Sequence, residues 1–387
     1  MIRYFLTGGT GTLGSYVLQH LLEQRDCHID LLVRADSDAS AELRKLHLLK
    51  SVVGDDGARY ASRVTAIRGD TQLPLFGMPR DRYERLVDDC THVIHSAGLV
   101  RMNLPIEKAR ASAVGAAENI IHVARALKES GRLRKVEFVS TVGVGGYLKA
   151  VHEDWIENPR SFHNTYEQAK AEAEIRIREA IGEGLPITVH RPSMVVGDSR
   201  TGHTLHFQVF YFLLEFLSGA RTHGVFPDVG SARLDIVPVD FVAEAIVRSS
   251  ESAATIGKVL HLCAGPLDAV PIRQLQAMVH DQLTARGERV YKTRYIARPV
   301  FRGLVRGLRL FVDAKTRAAL GTLPIFLDYL DTEQSFDNVR SMAWLKQEGI
   351  AISRTGDYLP RVLQFYFSAK RPSRPRDVAD EAGHESA

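Results

Sequence analysis

The chain has 387 residues, of which 45% are hydrophobic and 25% are charged, and its formal net charge is +4. This length and composition indicate a globular, enzyme-sized protein with a sizeable core, and the small net charge gives no general argument for nucleic-acid binding. No apolar run reaches the ~20 residues that a membrane-spanning helix needs.

The cysteine and histidine patterns argue against two further kinds of site. Cys27, Cys90 and Cys263 are widely spaced and form no CxxC pair, which favours reduced, packed thiols. The histidines do not cluster with carboxylates or thiols at ligand spacing, so we expect no metal site. Because the first predicted strand begins at Ile2 and leaves no room for a secretory leader, we expect a cytoplasmic protein.

A predicted strand over residues 2–7 runs into a glycine-rich turn and then an amphipathic helix over 15–24. This order is typical of a dinucleotide site, where glycines permit a sharp turn, close approach of a pyrophosphate and close packing of the helix on the sheet. The N-terminus of the helix would hold the phosphates. The alternative is a glycine turn without a ligand. The candidate cofactor-binding residues here are Thr7, Gly8, Gly9, Thr10, Gly11, Thr12, Leu13 and Gly14.

The second predicted strand, 28–34, ends in Arg34. Sites that prefer NAD usually carry an acidic residue at this point, whereas a cation suits the 2′-phosphate of NADP. Arg44 and Lys45 follow on the next predicted helix. We therefore predict NADP(H) as the cofactor, with Arg34 and Arg44 among its ligands; the alternative is that Arg34 is a solvated strand end.

Further strands are predicted at 64–70, 91–98, 135–141, 186–192 and 258–263, with helices over 105–130 and 166–181. Strands that alternate with helices predict a Rossmann-type, doubly wound parallel sheet of the α/β class. Gly69 and Asp70 end one strand, and Asp70 either contacts the adenine or caps a turn. Small residues after the fourth strand, Ser96, Ala97 and Gly98, leave room for the cofactor.

Two regions break the alternation and predict a smaller, mainly helical lobe that binds the substrate. The first, 201–230, contains an apolar helix at 207–217, and the second, 266–368, is punctuated by Pro299 and Pro324. We assign 1–200 and 231–265 to the NADP-binding Rossmann domain, 201–230 and 266–368 to the lobe, and 369–387 to a disordered tail.

Tyr166 and Lys170 open the helix at 166–181, and their spacing of four places both side chains on one helical face. An ammonium group near a phenol is expected to lower the phenol's pKa and to make it an acid–base group. Thr141, at the end of the fifth strand, can donate a second hydrogen bond to the same substrate oxygen. These three are the candidate catalytic residues, although a Tyr and a Lys four apart also occur by chance in many helices.

The glycine turn, Thr141, Tyr166 and Lys170 together resemble the extended short-chain dehydrogenase/reductase superfamily. The run HRPSMVVGDSRTG at 190–202 is similar to the thioester reductase and fatty acyl-CoA reductase branch, as are Gly69-Asp70, LLVRA at 31–35 and LDIVPVD at 234–240. The resemblance covers roughly residues 2–265 and thins beyond them. The RPxxVxG pattern alone is shared with sugar-nucleotide epimerases.

The resemblance implies NADPH as hydride donor and an acyl thioester as substrate, reduced to an aldehyde and, by a second hydride, to an alcohol. It also implies that Lys170 contacts the nicotinamide ribose and that Pro192 and Ser193 pack beside the nicotinamide amide. The chain departs from the family at Ser112, which stands where the family often has an asparagine. A proton relay through this position is therefore in doubt, unless a water assists the shorter hydroxyl.

A basic segment at 286–309 suggests a partner, because its cations interleave with apolar residues. It carries Arg289, Lys292, Arg294, Arg298, Arg302, Arg306 and Arg309 against Glu288 alone, with Phe301, Leu304, Val305, Leu308 and Phe311 between them. The segment would dock an acyl carrier protein, hold the phosphates of coenzyme A or lie on an anionic membrane surface; the alternative is a solvated arginine face over the lobe core.

Two rival functions remain open from the sequence. One is a sugar-nucleotide epimerase or hydroxysteroid-type dehydrogenase of the same superfamily, and the other is a non-catalytic NADP-sensing module. The apolar stripe that begins at Phe207 and Phe210 either lines an acyl tunnel or belongs to the core.

Overall fold

A computed structural model of the chain describes residues 2–308 and 334–370, without the side chains of 305–308. Arg309, Phe311, Pro324 and nearly all of the predicted tail lie outside the described residues. Among the described helices, all fall short of the length and apolarity that crossing a bilayer requires.

The strands and helices follow one another in the alternating order that the sequence predicts over most of the chain. The strands are β1 Ile2–Thr7, β2 Cys27–Val33, β3 Val64–Arg68, β4 His92–His95, β5 Lys135–Val139, β6 Ala150–Val151, β7 Ile187–Pro192, β8 Met194–Val196, β9 Val225–Pro227, β10 Arg233–Leu234, β11 Ile236–Pro238, β12 Val259–Leu262, β13 Val270–Pro271, β14 Arg294–Ile296 and β15 Ser335–Phe336. The helices are α1 Thr12–Gln24, α2 Asp38–Val53, α3 Gly57–Tyr60, α4 Arg80–Asp89, α5 Ile106–Arg110, α6 Ala116–Glu129, α7 Thr165–Gly182, α8 Val209–Leu217, α9 Val239–Ser250, α10 Gly265–Asp268, α11 Ile272–Ala285, α12 Arg298–Leu308, α13 Val339–Gln347 and α14 Thr355–Ala369.

Seven strands form one sheet in the order β12-β7-β5-β4-β1-β2-β3, and every pair in it is parallel. Chain order reverses between β1 and β4, because the chain winds outward from β1 in one direction and from β4 in the other. Ligands of open parallel sheets bind at such a reversal, beyond the carboxyl ends of the strands. The predicted Rossmann-type class is confirmed.

Both faces of this sheet are covered, which explains why its strands are rich in consecutive apolar residues. On one face α1, α2 and α9 pack on β1 and β2, with Leu18, Leu21 and Val242 fully buried. On the other face α4, α6 and α7 pack on β4, β5 and β7, around Phe138 and Ile177.

A second core holds the predicted lobe together. It joins α8, α11 and α14 through Phe210, Leu214, Leu275 and Val362, and α12 adds Phe301. The predicted apolar helix at 207–217 is therefore confirmed as α8, which starts two residues later.

One part of the predicted lobe segment packs elsewhere. Leu345 of α13 and Ile350 belong to the core on the α1 face of the sheet, and β15 pairs with β6. The Ser341 hydroxyl also accepts a hydrogen bond from the backbone N–H of His261 in β12. Residues 335–352 thus return to the Rossmann domain, while the wider division into two domains stays a prediction.

A buried ion pair joins β7 to α7. The Arg191 guanidinium donates to both carboxylate oxygens of Glu174, at 2.9 and 2.6 Å, and both side chains are almost completely buried. Arg191 also donates to the backbone carbonyl of Asp154. This pair ties the strand that leads to Pro192 and Ser193 to the helix that carries Tyr166 and Lys170.

We predict that Arg191→Met lowers the free energy of unfolding by about 3–5 kcal/mol, because it leaves the Glu174 carboxylate buried without its cation. Urea unfolding followed by circular dichroism measures this change. Adding Glu174→Leu should recover most of the loss, since no uncompensated charge then remains. A double variant no more stable than Arg191→Met would contradict this account.

Candidate active site

A cavity of about 260 Å³ lies at the carboxyl ends of β1, β4 and β5. The glycine turn forms one wall, the residues after β5 and the start of α7 form another, and β8, α8 and β10 close the lobe side. Its lining includes Gly8, Gly11, Thr12, Leu13, Gly14, Ser96, Ala97, Gly98, Thr141, Tyr166, Lys170, Pro192 and Ser193, together with Gln208, Phe210, Arg233 and Gln334. The structure thus brings the three candidate catalytic residues to the glycine turn.

A second cavity of about 330 Å³ adjoins the first, since both are lined by Gly8, Gly11 and 96–98. It extends past Arg34 and Gly69, and Thr10 and His206 also line it. His206, which sequence reasoning missed, comes from the lobe and lies 3.2 Å from the Thr10 carbonyl oxygen through its ring Nε2.

The glycine turn fits a phosphate-bearing group closely. A Cβ at Gly14 would lie 2.2 Å from the Gly8 carbonyl oxygen, and Gly8 itself has a positive φ of 79° with Ala97 in the way of any side chain. A Cβ at Gly11 would have only the Gly8 carbonyl oxygen nearby, at 3.2 Å, so the backbone is open towards the cavity. The N-cap residue of α1 is Gly11, so no side chain caps this helix start. The buried Thr12 hydroxyl has no partner among the described residues. A dinucleotide therefore fits these residues.

Four predicted cofactor residues line neither cavity. The Thr7 hydroxyl is buried against His95 Nδ1 at 2.8 Å, and Gly9 faces the Leu31 side chain. Arg44 donates to the backbone carbonyl of Arg34. The Asp70 carboxylate accepts from the backbone N–H of Gln72 and so caps a turn, which was the alternative to an adenine contact.

Lys45, the neighbour of Arg44, has a structural role. Its side chain is buried, and its ammonium donates to the backbone carbonyl of Val64 at 3.1 Å. It holds α2 against β3 and lines neither cavity.

The first turn of α7 positions Tyr166. The Asn164 side chain caps the helix by accepting from the backbone N–H of Glu167, and the Glu167 carboxylate reaches back to the backbone N–H of His163. This reciprocal arrangement satisfies N–H groups that a helix start otherwise leaves without partners. The Tyr166 hydroxyl makes no hydrogen bond to any described residue, and the side chain lines the cavity.

Lys170 and Thr141 are both held by the end of β5. The Lys170 ammonium donates to the Val139 carbonyl at 2.7 Å and lies 4.8 Å from the centre of the Phe138 ring. The Thr141 hydroxyl accepts from the backbone N–H of Gly143 at 3.1 Å. Because a hydroxyl both donates and accepts, its proton stays available for a ligand oxygen.

The expected lowering of the Tyr166 pKa by Lys170 is wrong for this structure. Burial raises the pKa of the Tyr166 phenol well above its ordinary value, and the neighbouring Glu167 carboxylate raises it further. Burial lowers the pKa of Lys170 to about 8. Tyr166 is therefore a neutral phenol at pH 7.

The predicted helix at 105–130 contains one turn of π-helix, 111–115, between α5 and α6. Ser112, which lies in this turn, is buried, and it lines the second cavity and a small space behind Tyr166 and Lys170. That space measures about 10 Å³, roughly one water molecule.

Comparison with known proteins identifies the family. The model of the NAD-binding family described as "Male sterility protein" matches residues 6–246. The chain belongs to this family. It is accordingly an NAD(P)-dependent oxidoreductase of the extended short-chain dehydrogenase/reductase class, as the sequence resemblance predicted.

The chain matches parts of much longer proteins. The chain is 29% identical over 280 residues to the glycine betaine reductase of Emericella nidulans, covering 70% of this chain and 21% of that protein. It is 30% identical over 272 residues to the L-2-aminoadipate reductase large subunit of Eremothecium gossypii, covering 65% and 19%. Over 259 residues it is 29% identical to the isonitrile lipopeptide synthase of Streptomyces coeruleorubidus, covering 64% and 16%. The chain thus spans about a fifth or less of these three relatives.

Solved structures share the fold over nearly the whole chain. The terminal R domain from the myxalamid PKS-NRPS biosynthetic pathway has a TM-score of 0.77 at 27% identity, covering 95% of this chain and 90% of that one. A thiolation-reductase di-domain from an archaeal non-ribosomal peptide synthetase has a TM-score of 0.75 at 18% identity, covering 95% and 75%.

We predict that Lys170 makes stability rise with pH between about 8 and 10.5. Its pKa is about 8 in the folded chain against an ordinary value of 10.5, so the unfolded chain binds more protons across this window. The free energy of unfolding should rise by about 3 kcal/mol from this group, and Lys170→Met should abolish the rise. Urea unfolding at a series of pH values measures it, with the exposed Lys50→Met as control. Parallel pH curves for wild type and Lys170→Met would contradict the prediction.

Proposed function

We propose that the chain reduces an acyl thioester to an aldehyde with NADPH, with Tyr166 as the proton donor. The observation that carries this proposal is the grouping of three polar side chains beside the glycine turn. A phenol without a hydrogen-bond partner among the described residues, a hydroxyl with a proton to give and a buried ammonium all border one cavity. The 27% identical R domain supports the reaction class.

The chain's residues would hold the cofactor at both ends. The turn from Gly8 to Gly14 takes the pyrophosphate, and Arg34 takes the 2′-phosphate in the second cavity. Pro192 and Ser193, which line the main cavity, would form the wall beside the nicotinamide. When bound, NADPH supplies the hydride that reaches the thioester carbonyl carbon.

Thr141 and Tyr166 then act on the carbonyl oxygen. Both donate hydrogen bonds to it, which stabilises the negative charge that develops as the carbon is reduced. The Tyr166 phenol passes its proton to this oxygen and gives a hemithioacetal. A raised pKa suits this direction of reaction, because it keeps the phenol protonated until a strongly basic oxygen forms beside it. The hemithioacetal then separates into an aldehyde and a thiol.

Lys170 and Ser112 support the recovery of the proton. The ammonium of Lys170 stabilises the tyrosinate left after transfer. The small space behind both side chains has room for about one water and is also lined by Ser112, and we propose that a proton returns to Tyr166 from that side. Ser112 and this water would together take the role of the asparagine that the family often has at this position.

For the substrate we propose a thioester carried on an acyl carrier protein. The relatives named as synthases and reductases and the thiolation-reductase di-domain favour a tethered substrate. The basic segment 286–309 lies on the lobe: β14 pairs with β9, and Phe301 is buried against Phe216. Its apolar residues are thus divided, since Phe301 belongs to the lobe core while Val300 and Leu304 are exposed. The side chain of Arg306 is not described, and Arg309 and Phe311 lie outside the described residues.

NADPH oxidation against a panel of acyl-carrier and acyl-CoA thioesters, with products identified by mass, tests this proposal. We expect aldehyde in stoichiometric amounts with NADP⁺ and faster turnover of the carrier-linked substrates. Oxidation of a hydroxysteroid or epimerisation of a sugar nucleotide, without thioester reduction, would overturn it.

We predict that Tyr166→Phe lowers kcat by at least about a hundredfold while leaving the Kd for NADPH unchanged, because the variant loses only the proton donor. Steady-state kinetics and fluorescence titration of NADPH measure the two quantities. Tyr83→Phe, which changes a phenol outside both cavities, serves as the matched control. Unchanged kcat in the variant would contradict the role of Tyr166 as proton donor, whereas NADPH binding without any turnover in the wild type would assign the cavity to a cofactor sensor.

We predict that Arg34→Gln raises the KM for NADPH by about tenfold to a hundredfold and leaves the KM for NADH unchanged, because one charged contact is lost. Arg85→Gln, on the exposed face of α4, controls for the change in net charge. Equal KM values for NADPH in the variant and the wild type would show that Arg34 is a solvated strand end.

A further inference from the structure

The main cavity carries four charged side chains, and three of them have partners within the chain. Glu167 accepts from the backbone of His163, and Lys170 donates to the Val139 carbonyl. Asp235 accepts from the backbone N–H groups of Ala264 and Gly265, at 2.8 Å each. The fourth, Arg233, has no carboxylate within ion-pair distance among the described residues.

Arg233 is nevertheless held in place. It lies in β10, which pairs with β13, and it is exposed on the lobe side of the cavity. Its Nε donates to the carbonyl of Ala269 at 2.9 Å, and one Nη2 hydrogen is directed at the carbonyl of Leu267 at 3.4 Å. These bonds use one edge of the guanidinium, whereas Nη1 makes no hydrogen bond to a described residue. An oriented guanidinium with a free edge is suited to a phosphate or carboxylate.

The position of Arg233 separates it from the cofactor's phosphates. Arg34 lines the second cavity, which Arg233 does not reach, and Arg233 belongs with Leu234, Phe210 and Gln208 to the lobe side of the main cavity. An anion that reaches Arg233 therefore belongs to the other reactant.

Two arginines of neighbouring helices hold the turn that leads into β10. Arg298 donates to the Asp228 carbonyl, and Arg273 forms an ion pair with the Asp228 carboxylate at 2.8 Å. Next to Arg233, Leu267 exposes 92% of its surface. The oriented guanidinium of Arg233, with this exposed apolar residue beside it, fits a flexible chain that bears one phosphate.

We propose that Arg233 binds the phosphate of the phosphopantetheine chain that carries the acyl thioester. This inference rests on the proposed thioester reduction and adds the group by which the substrate is recognised. The phosphopantetheine of a carrier protein and that of coenzyme A share this phosphate, so Arg233 serves either source. The thioester then extends from Arg233 towards Thr141 and Tyr166, which line the same cavity.

The test compares acyl-CoA, acyl-phosphopantetheine and the same acyl group on N-acetylcysteamine, which lacks the phosphate. In Arg233→Gln we expect the KM for the two phosphate-bearing substrates to rise about tenfold to a hundredfold, with kcat/KM for the truncated substrate unchanged. Arg233→Lys should lose less than Arg233→Gln, since lysine keeps the positive charge but cannot donate the two parallel hydrogen bonds of a guanidinium. Arg80→Gln, an exposed charge on α4, is the matched control.

Comparing acyl-CoA with the carrier-linked substrate separates the two sources of the phosphate. An equal loss for phosphate-bearing and truncated substrates, or no loss for either, would overturn the role of Arg233. Calorimetric titration of free 4′-phosphopantetheine provides a readout without turnover. Wild-type binding that Arg233→Gln abolishes supports the inference even if no thioester is reduced, in which case only the proposed reaction fails.

Discussion

The hydrogen bond from the Lys170 ammonium to the Val139 carbonyl is the contact on which the candidate site depends. It fastens the first turns of α7 to the end of β5, where Thr141 follows two residues later. Tyr166, one helical turn before Lys170, is thereby brought to the same cavity as Thr141 and the glycine turn. Burial of the ammonium carries a cost, which its lowered pKa records, and the Arg191–Glu174 pair secures the same helix further along.

The electrostatics of the site suit a reduction in which a neutral acid gives up a proton. The phenol is kept protonated by burial and by Glu167, and His95, which stacks on Phe138, stays neutral because burial lowers its pKa to about 3. Positive charge is provided at separate places in the two adjoining cavities: Arg34 lines the second cavity, whereas Lys170 and Arg233 line the main one. This distribution matches a reaction between two phosphate-bearing reactants that meet at an uncharged carbonyl.

The parts of the site that depend on local sequence could be predicted. The glycine spacing predicts the turn after β1, because only glycine tolerates the close contacts at Gly8 and Gly14. The four-residue spacing of Tyr166 and Lys170 likewise predicts that both side chains lie on the same face of one helix. The sheet followed from the alternation of strands and helices, since buried parallel strands have a characteristic composition.

The parts that depend on tertiary packing could not be predicted. Lys45 follows Arg44 in sequence, yet the rotation of α2 turns it into the core. The sign of the Tyr166 pKa shift depends on how deeply α7 is buried, which spacing does not reveal. His206 and Arg233 have no motif around them, and they reach the cavities because the lobe folds over the strand ends. The return of 335–352 to the sheet is equally a long-range pairing.

The most direct measurement of the central claim is a crystal structure of the chain with NADPH and a non-reducible thioester analogue. The account predicts that the pyrophosphate lies on the turn from Gly8 to Gly14, with the Tyr166 hydroxyl in hydrogen-bonding distance of the analogue's oxygen. A dinucleotide bound away from that turn, or a Tyr166 hydroxyl directed away from the analogue, would contradict it.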